Sequence, residues 1–278
     1  MPLIADRAFA ARIERSVTRD LAIYARTCRR LDPHLSNAHL DFAGGTALFL
    51  APGSPVNMVY GAGFEGPVSP SEFDSVERFY AERGTRAAIS LSPLADRSLI
   101  AQLGARGWMI ADFEDVLVQE LLQGAVPTGF ERNDARPEVS VRVARDAADR
   151  AIWAVVSSGA FTAPEPPDAE VTRLGEAMAA RDDVTLLVAV VDGEDAGTGA
   201  LWIDDHMGWL LGDATLPQYR RRGAQSALVA HRTRLAAEAG CEFAVTEARP
   251  GSVSHRTMER AGYRVVYTRV ELIAPPPR

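Results

Sequence analysis

Cysteine, long apolar runs and net positive charge are all in short supply in this sequence. Its 278 residues include two cysteines, Cys28 and Cys241, far apart and without a CxxC or a histidine cluster around them. That pattern excludes a disulfide-stapled secreted scaffold and the usual cysteine–histidine metal frameworks, so no metal is expected, and a reduced cytoplasmic protein is. No apolar run approaches the ~20 residues that span a bilayer. The opening stretch M-P-L-I-A-D-R-A-F-A lacks the apolar core of a signal peptide, so a membrane role is not expected either. The net charge is −7, whereas general nucleic-acid binding needs a basic surface. Positive charge gathers locally at Arg220, Arg221 and Arg222, a distribution that suits a small anion better than a polyanion.

What remains is ordinary globular composition, 47% hydrophobic and 24% charged, in a chain long enough for two domains. Phe9, Ile13, Val17, Leu21, Tyr24 and Cys28 recur at threes and fours. They predict a helix over 6–31 with Asp6 as its N-cap and Asp32-Pro33 as its stop. Strands at 47–50 and 56–60 around the turn at Ala51-Pro52-Gly53-Ser54 follow, then a helix over 71–83, a strand at 86–91, a short helix over 98–106 and a strand at 116–122. Gln123 to Pro137 mixes glycine, proline and charge, which gives domains at 1–126 and 138–278 with 127–137 as linker. The second half reads strand (139–143), helix (146–158), short helix (173–180), strand (185–191), two strands around Asp204-Asp205 (197–203 and 208–211), helix (224–239), strand (243–247), helix (254–260) and strand (264–273). Gly61, Gly63 and Gly66 spell G-x-G-x-x-G, but Pro67, Ser69 and Pro70 delay the helix that a dinucleotide fingerprint starts at its glycines, so this is a plain connection.

The stretch from Gly208 to Gly240 is the most informative. An apolar run ends near Thr215, Pro217 blocks its continuation, and Arg220-Arg221-Arg222 lead into Gly223 at the head of an amphipathic segment. Ala224, Leu228, His231 and Leu235 make its apolar face, with Arg232, Arg234 and Glu238 falling elsewhere. A helix start exposes unpaired N–H groups and the positive end of a dipole, and a glycine there admits close approach of a ligand. With the amides of Gly223, Ala224, Gln225 and Ser226 donating and three guanidinium groups alongside, the mouth suits a diphosphate; the alternative is a basic helix cap without a ligand.

Strand, proline, Arg220-Arg221-Arg222-Gly223-Ala224-Gln225 and helix, in that order, resemble the coenzyme loop Q/R-x-x-G-x-G/A of the GCN5-related N-acetyltransferases (GNAT). The chain departs from it at Gln225, where a small residue is commonest. The element order from Val139 to Ile273 is similar to that family's, and the first half is similar in outline. The resemblance implies an α/β (α+β) fold of two domains, each a mixed, mostly antiparallel sheet flanked by helices. It also implies an acetyl-CoA-dependent N-acetyltransferase, monomer or homodimer, whose acceptor is a primary amine of a small molecule or peptide that attacks directly. In that frame Ala214 and Thr215 offer backbone groups to the pantetheine arm. Ser252 or Ser254 stands in for a family asparagine at Gly251, unless both merely cap the helix that follows. Met258 occupies the place of a frequent tyrosine acid, and a thioether donates no proton. Asp213 and Glu247, on neighbouring strands, are the candidate bases, though either could be a surface or salt-bridged group. Trp209, Leu211 and Asp213 are expected on one strand face. His206 and His255 are weaker candidates, and Tyr263 is expected in the core. Six acidic residues against two arginines over 159–183 favour a cationic acceptor. The alternatives are a non-catalytic acyl-CoA-binding or interaction protein, and an aminoacyl or other acyl transferase on the same fold.

The halves also echo each other. Ala81-Glu82-Arg83-Gly84 matches Ala237-Glu238-Ala239-Gly240, and Gly107-Trp108 matches Gly262-Tyr263, at 23 and 22 residues from the preceding glycine. The counterpart of Gly223 is Pro67, with no arginine nearby. The first copy is therefore expected to keep the shape and lack the anion site.

Overall fold

The computed structural model describes residues 5–121, 139–163 and 165–276; the expected linker at 127–137, the boundary at 126 and the strand end at Leu122 lie outside them. By contacts the chain divides into a unit of Met1–Val116 with Val266–Arg278 and a unit of Leu117–Val265. The last strand of the sequence thus groups largely with the first unit.

In the first unit, α1 (Arg7–Leu31) starts at Asp6, whose side chain accepts from Phe9 N, and buries Ile13, Val17, Tyr24 and Cys28 as the spacing predicts. Strand β1 (Ala38–Phe42), not among the expected elements, pairs antiparallel with β2 (Gly45–Phe49). Ala43 and Gly44 turn between them at φ 51° and 79°, the left-handed pair that a two-residue hairpin requires. Ala38, Leu40 and Phe42 alternate with the exposed His39 and Asp41, the period-two pattern of a half-buried strand. The expected hairpin is present: β2 pairs antiparallel with β3 (Val59–Tyr60), and the Asn57 side chain bridges Leu50 N and Ala51 O across the connection. Next come α2 (Pro70–Ala81), β4 (Ala88–Leu91) and α3 (Arg97–Ala105). Two longer strands, β5 (Met109–Glu120) and β11 (Arg264–Ile273), run through the division between the units. β3 lies parallel to β4, and β11 antiparallel to it with Val270 opposite Leu91. Phe42, Phe73 and Trp108 stack edge-to-face at 5.6 and 5.5 Å in the core.

The second unit has strand order β5-β10-β9-β8-β7-β6. β6 (Val139–Val143), β7 (Val184–Val191), β8 (Glu194–Asp204) and β9 (Met207–Thr215) form an antiparallel run. β10 (Phe243–Ala248) joins β9 in parallel. Asp146 caps α4 (Ala147–Thr162) and Asp168 caps α5 (Ala169–Ala179), each accepting from the amide three residues on. α6 (Ala224–Glu238) and α7 (Val253–Arg260) complete the order expected from Val139 to Ile273. Leu201 and Leu210 of the sheet pack with Leu228, Val229 and Ala236 of α6, and Met258 and Tyr263 close the same core.

The inward face of α6 differs from the periodic reading. Its buried residues are Ala224, Leu228, Val229, Arg232, Thr233 and Ala236, while His231 and Leu235 are half-buried. Arg232, expected outside, is fully buried. The sheet beneath supplies the reason, because it carries carbonyl groups that need a donor.

Candidate functional site

Those carbonyls come from an interruption in β9. Register steps from Thr198↔Ala214 to Ala200↔Leu211, so Gly212 and Asp213 together oppose Gly199. This is a β-bulge, with Gly212 at φ 63° as its turning residue. Donors from the flanking side chains satisfy the exposed backbone. Trp153 Nε1 donates to Gly199 O at 3.1 Å and Thr198 Oγ1 to Gly212 O at 3.3 Å. Arg232 Nη1 donates to Ala200 O at 3.2 Å and Leu211 O at 3.1 Å. The extra residue also breaks the alternation that would have kept Asp213 in phase with Trp209.

β9 and β10 stay in register from Phe243↔Met207 to Val245↔Trp209. Beyond that the Thr246 hydroxyl, not a backbone amide, donates to Leu210 O. The pairing ends there, and a cavity of about 970 Å³ lies at the end of β9. The end of β9, the loop after it, the first turn of α6, the end of α4 and the start of α7 line it.

The loop is held by its own arginine. Arg220 Nε donates to Thr215 O at 3.1 Å and its Nη2 to Ala160 O at 3.3 Å, tying the loop to β9 and α4. Arg222 pairs with Asp192 and lies over the Tyr219 ring. Arg221 takes φ 64° and has no hydrogen-bond or ion-pair partner among the described residues. Of the three guanidinium groups expected to supply charge, two are thus engaged by the protein and one is available.

Gly223 is the N-cap of α6 at φ 95°, and no side chain caps this end. Ala227 N bonds back to Gly223 O at 3.0 Å, so the amides of Ala224, Gln225 and Ser226 precede the first intrahelical bond. A side chain on Gly223 would meet only Val139, at 3.8 Å; what the position demands is the left-handed backbone. Gln225, the departure from the family pattern, turns its amide to Ser254 Oγ at 3.1 Å, linking α6 to α7. Its backbone N–H stays clear of that bond.

Ala214, Thr215, Arg220, Arg221, Arg222, Gly223, Ala224, Gln225, Ser226 and Ser254 all line the cavity, as does Asp213. Ser252 does not: its hydroxyl accepts from His255 N and caps α7, the second of the two readings open for it. Glu247, half-buried on β10, is not among the lining residues either. Asp213 is the partner of buried Arg232, the salt-bridged alternative. Met258 is sealed in the core. Tyr263 is core too, its hydroxyl against Thr233 Oγ1 at 2.7 Å, and burial pushes its ionisation well above the usual tyrosine range. His206 is exposed in the β8–β9 turn, and His255 lies beside Glu259 on α7 at 3.6 Å. Phe161, Val253, Thr257 and Arg260 also line the cavity; Phe161 and Val253 are exposed apolar residues, which give no periodic signal.

Residues 152–263, which include all of this lining, match the acetyltransferase (GNAT) family model. The chain carries a GNAT acetyltransferase domain. A search of curated proteins finds no match, but solved structures resemble the whole chain. A GCN5-related N-acetyltransferase from Kribbella flavida superposes with TM-score 0.63 at 20% identity, covering 96% of each chain. One from Sphaerobacter thermophilus gives 0.60 at 16%, covering 98% of this chain and 95% of that one. A tandem GNAT protein of the clavulanic acid biosynthesis pathway gives 0.61 at 15%, covering 92% and 89%. These likenesses are of fold, and they extend the GNAT fold to the N-terminal region as well as the matched domain.

A coenzyme A diphosphate fits the residues of this GNAT domain. Three amides ahead of the first helical bond, a cap with no side chain over them and one available guanidinium face a cavity of adequate size. Among the described residues no helix is long and apolar enough to cross a membrane, and no group of residues could hold a metal ion.

Proposed function

We propose that the GNAT domain is an acetyl-CoA-dependent N-acetyltransferase whose acceptor is a primary amine. One observation carries this reading: an uncapped helix start at a left-handed glycine opens on a cavity at the end of β9, beyond its last pairing with β10. The amides of Ala224, Gln225 and Ser226, with Arg221, hold the diphosphate, while Arg220 and Arg222 keep the loop in shape. Ala214 and Thr215, beyond the last paired residues of β9 and β10, turn backbone groups to the arm. The bound coenzyme supplies an activated thioester to the cavity. Met258 and Tyr263 are core residues and bring no acid to the site, so in this reading protons pass to and from water through the cavity. The acidic tract over 159–183 is largely spoken for, with Asp168 capping α5, Glu170 on Arg173 and Asp183 on Arg181. It leaves Glu165, Glu176 and Asp182 as its outward charge.

The engaged Asp213 and the buried Met258 favour a second reading, a domain that binds acyl-CoA without turnover. Calorimetry with acetyl-CoA and thiol release against a panel of primary amines separate the two. Saturable binding together with amine-dependent release supports the transferase, and binding without release supports the second reading. Absence of binding overturns both. The chain contains no lysine, so acylation of its own side-chain amines does not contribute to release.

A further inference from the structure

We infer that Arg232 is a positioning residue and that the Asp213 carboxylate it holds is the binding point for the acceptor's ammonium group. This deepens the transferase reading and rests on it. Arg232 is fully buried at the bulge, and every one of its nitrogens has work there. Nε donates to Leu228 O at 3.2 Å, Nη1 to two strand carbonyls, and Nη2 to Asp213 Oδ1. Burying a guanidinium is costly unless it is both paired and hydrogen-bonded, and here a single planar fork meets three carbonyls and one carboxylate. The result is a carboxylate with a fixed place: Oδ1 is taken up by the pair, and Asp213 faces the cavity with its side chain 12% exposed.

The charge pattern of the cavity says what that carboxylate is for. Asp213 is the one acidic residue among the lining residues, against Arg220, Arg221, Arg222 and Arg260. The arginines belong to the loop and to α7, and the acid to the bulge of β9. The cavity thus offers guanidinium groups to an anionic coenzyme and a single carboxylate to a cationic amine. Gly199 keeps the arrangement possible, because a Cβ there would lie 2.7 Å from the Arg232 guanidinium carbon. A neutral filler at 232 would leave the bulge carbonyls unsatisfied and Asp213 free to swing.

The test uses phenethylamine, with 2-phenylethanol as its uncharged counterpart, and ligand-observed NMR on the whole chain without coenzyme. The wild type is expected to bind the amine at least about tenfold more tightly than the alcohol, the usual consequence of one hydrogen bond to a charged group. Asp213→Asn removes that preference. Arg232→Lys weakens it by a smaller factor, and so does Gly199→Ala, which displaces the fork without removing its charge. In a double variant with Asp213→Asn, neither adds to the loss of amine binding. In turnover, Asp213→Asn raises KM for the amine about tenfold with KM for acetyl-CoA unchanged. Amine binding that survives Asp213→Asn overturns the inference. So do Arg232→Lys and Gly199→Ala chains that lose thermal stability while keeping the wild-type amine preference, because that is a structural role alone. Failure of the transferase reading shows separately, as no acetyl-CoA binding by the wild type whatever its amine preference.

Discussion

Two helices occupy corresponding places in the repeated tracts, and they begin in opposite ways. α2 starts at Ser69, whose hydroxyl accepts from Glu72 N while the Glu72 carboxylate accepts from Ser69 N, with Pro70 at the first helical position. Every device that consumes or removes a free amide is present. α6 starts at Gly223 with none of them. The strand ends ahead of these helices contrast in the same sense. In the second unit β9 and β10 part after Val245↔Trp209. In the first, the loops after β3 and β4 are stitched together by Asp96 N on Gly63 O at 2.7 Å, and Arg7 donates to Gly63 O and Leu94 O. A helix that keeps its own amides above a closed seam has nothing to offer an anion. One that leaves them bare above an open seam does.

Buried charge separates the units in the same way. Glu14 and Arg269 are both almost completely buried, and Tyr267 donates to the same carboxylate oxygen at 2.8 Å. This pair docks the C-terminal strand on α1, whereas Asp213–Arg232 opens on a cavity. Breaking the sealed pair should give the largest effect of all. Glu14→Gln leaves a buried guanidinium short of its counterion and is expected to destabilise the first unit by about 3–5 kcal/mol, read as a lowered denaturant midpoint. A loss below 1 kcal/mol would show that Glu114, 3.4 Å from Arg269 Nη1, already suffices.

The next effect exchanges the helix starts. Ser226 stands at the third position of α6, where α2 has Glu72. Ser226→Glu brings a carboxylate to the amides meant for phosphate. It is expected to weaken acetyl-CoA binding about a hundredfold, from about 3 kcal/mol of near-surface charge repulsion. Thermal stability should hold or rise, since an acid in the first turn complements the helix dipole. Unchanged affinity by calorimetry would remove the α6 start from the coenzyme site. The reverse exchange is milder: Ser69→Ala should cost about 1 kcal/mol of stability and leave acetyl-CoA affinity untouched.

Much of this contrast could be read from the sequence, because it is local. Asp6, the loop from Pro217 to Gly223 and the strands at 139–143 and 264–273 all lie where residue type and period place them. What could not be read depends on partners distant in the chain. Arg232 looks like a solvent residue until a bulge in another element leaves carbonyls for it to meet. Two arginines of the loop look like ligands for an anion until Thr215 O, Ala160 O and Asp192 come within reach. Arg269 of β11 is buried against Glu14, more than two hundred and fifty residues away. Local chemistry writes caps and turns plainly, whereas a buried charge is legible only with its counterion in view.

The smallest expected effect sharpens the comparison of caps through pH. Hydrogen bonds from the Ser69 side chain and backbone hold the exposed Glu72 carboxyl below the usual glutamate range. The folded state thus favours the ionised form. Its contribution is fully present above the unfolded value, about 4.3, and is lost as pH falls through the lower folded value. Glu72→Gln keeps the reach of the cap without the charge. Wild type and variant should therefore differ slightly in melting temperature at pH 7, the wild type being higher, and converge as the solution is taken below pH 4. α6 has no titrating cap to lose, so hydrogen-exchange protection of its first turn should be the same in the two proteins across that range. A difference that persists in acid would mean that the capping box of α2 acts through shape alone, and its charge would then contribute nothing to the contrast with α6.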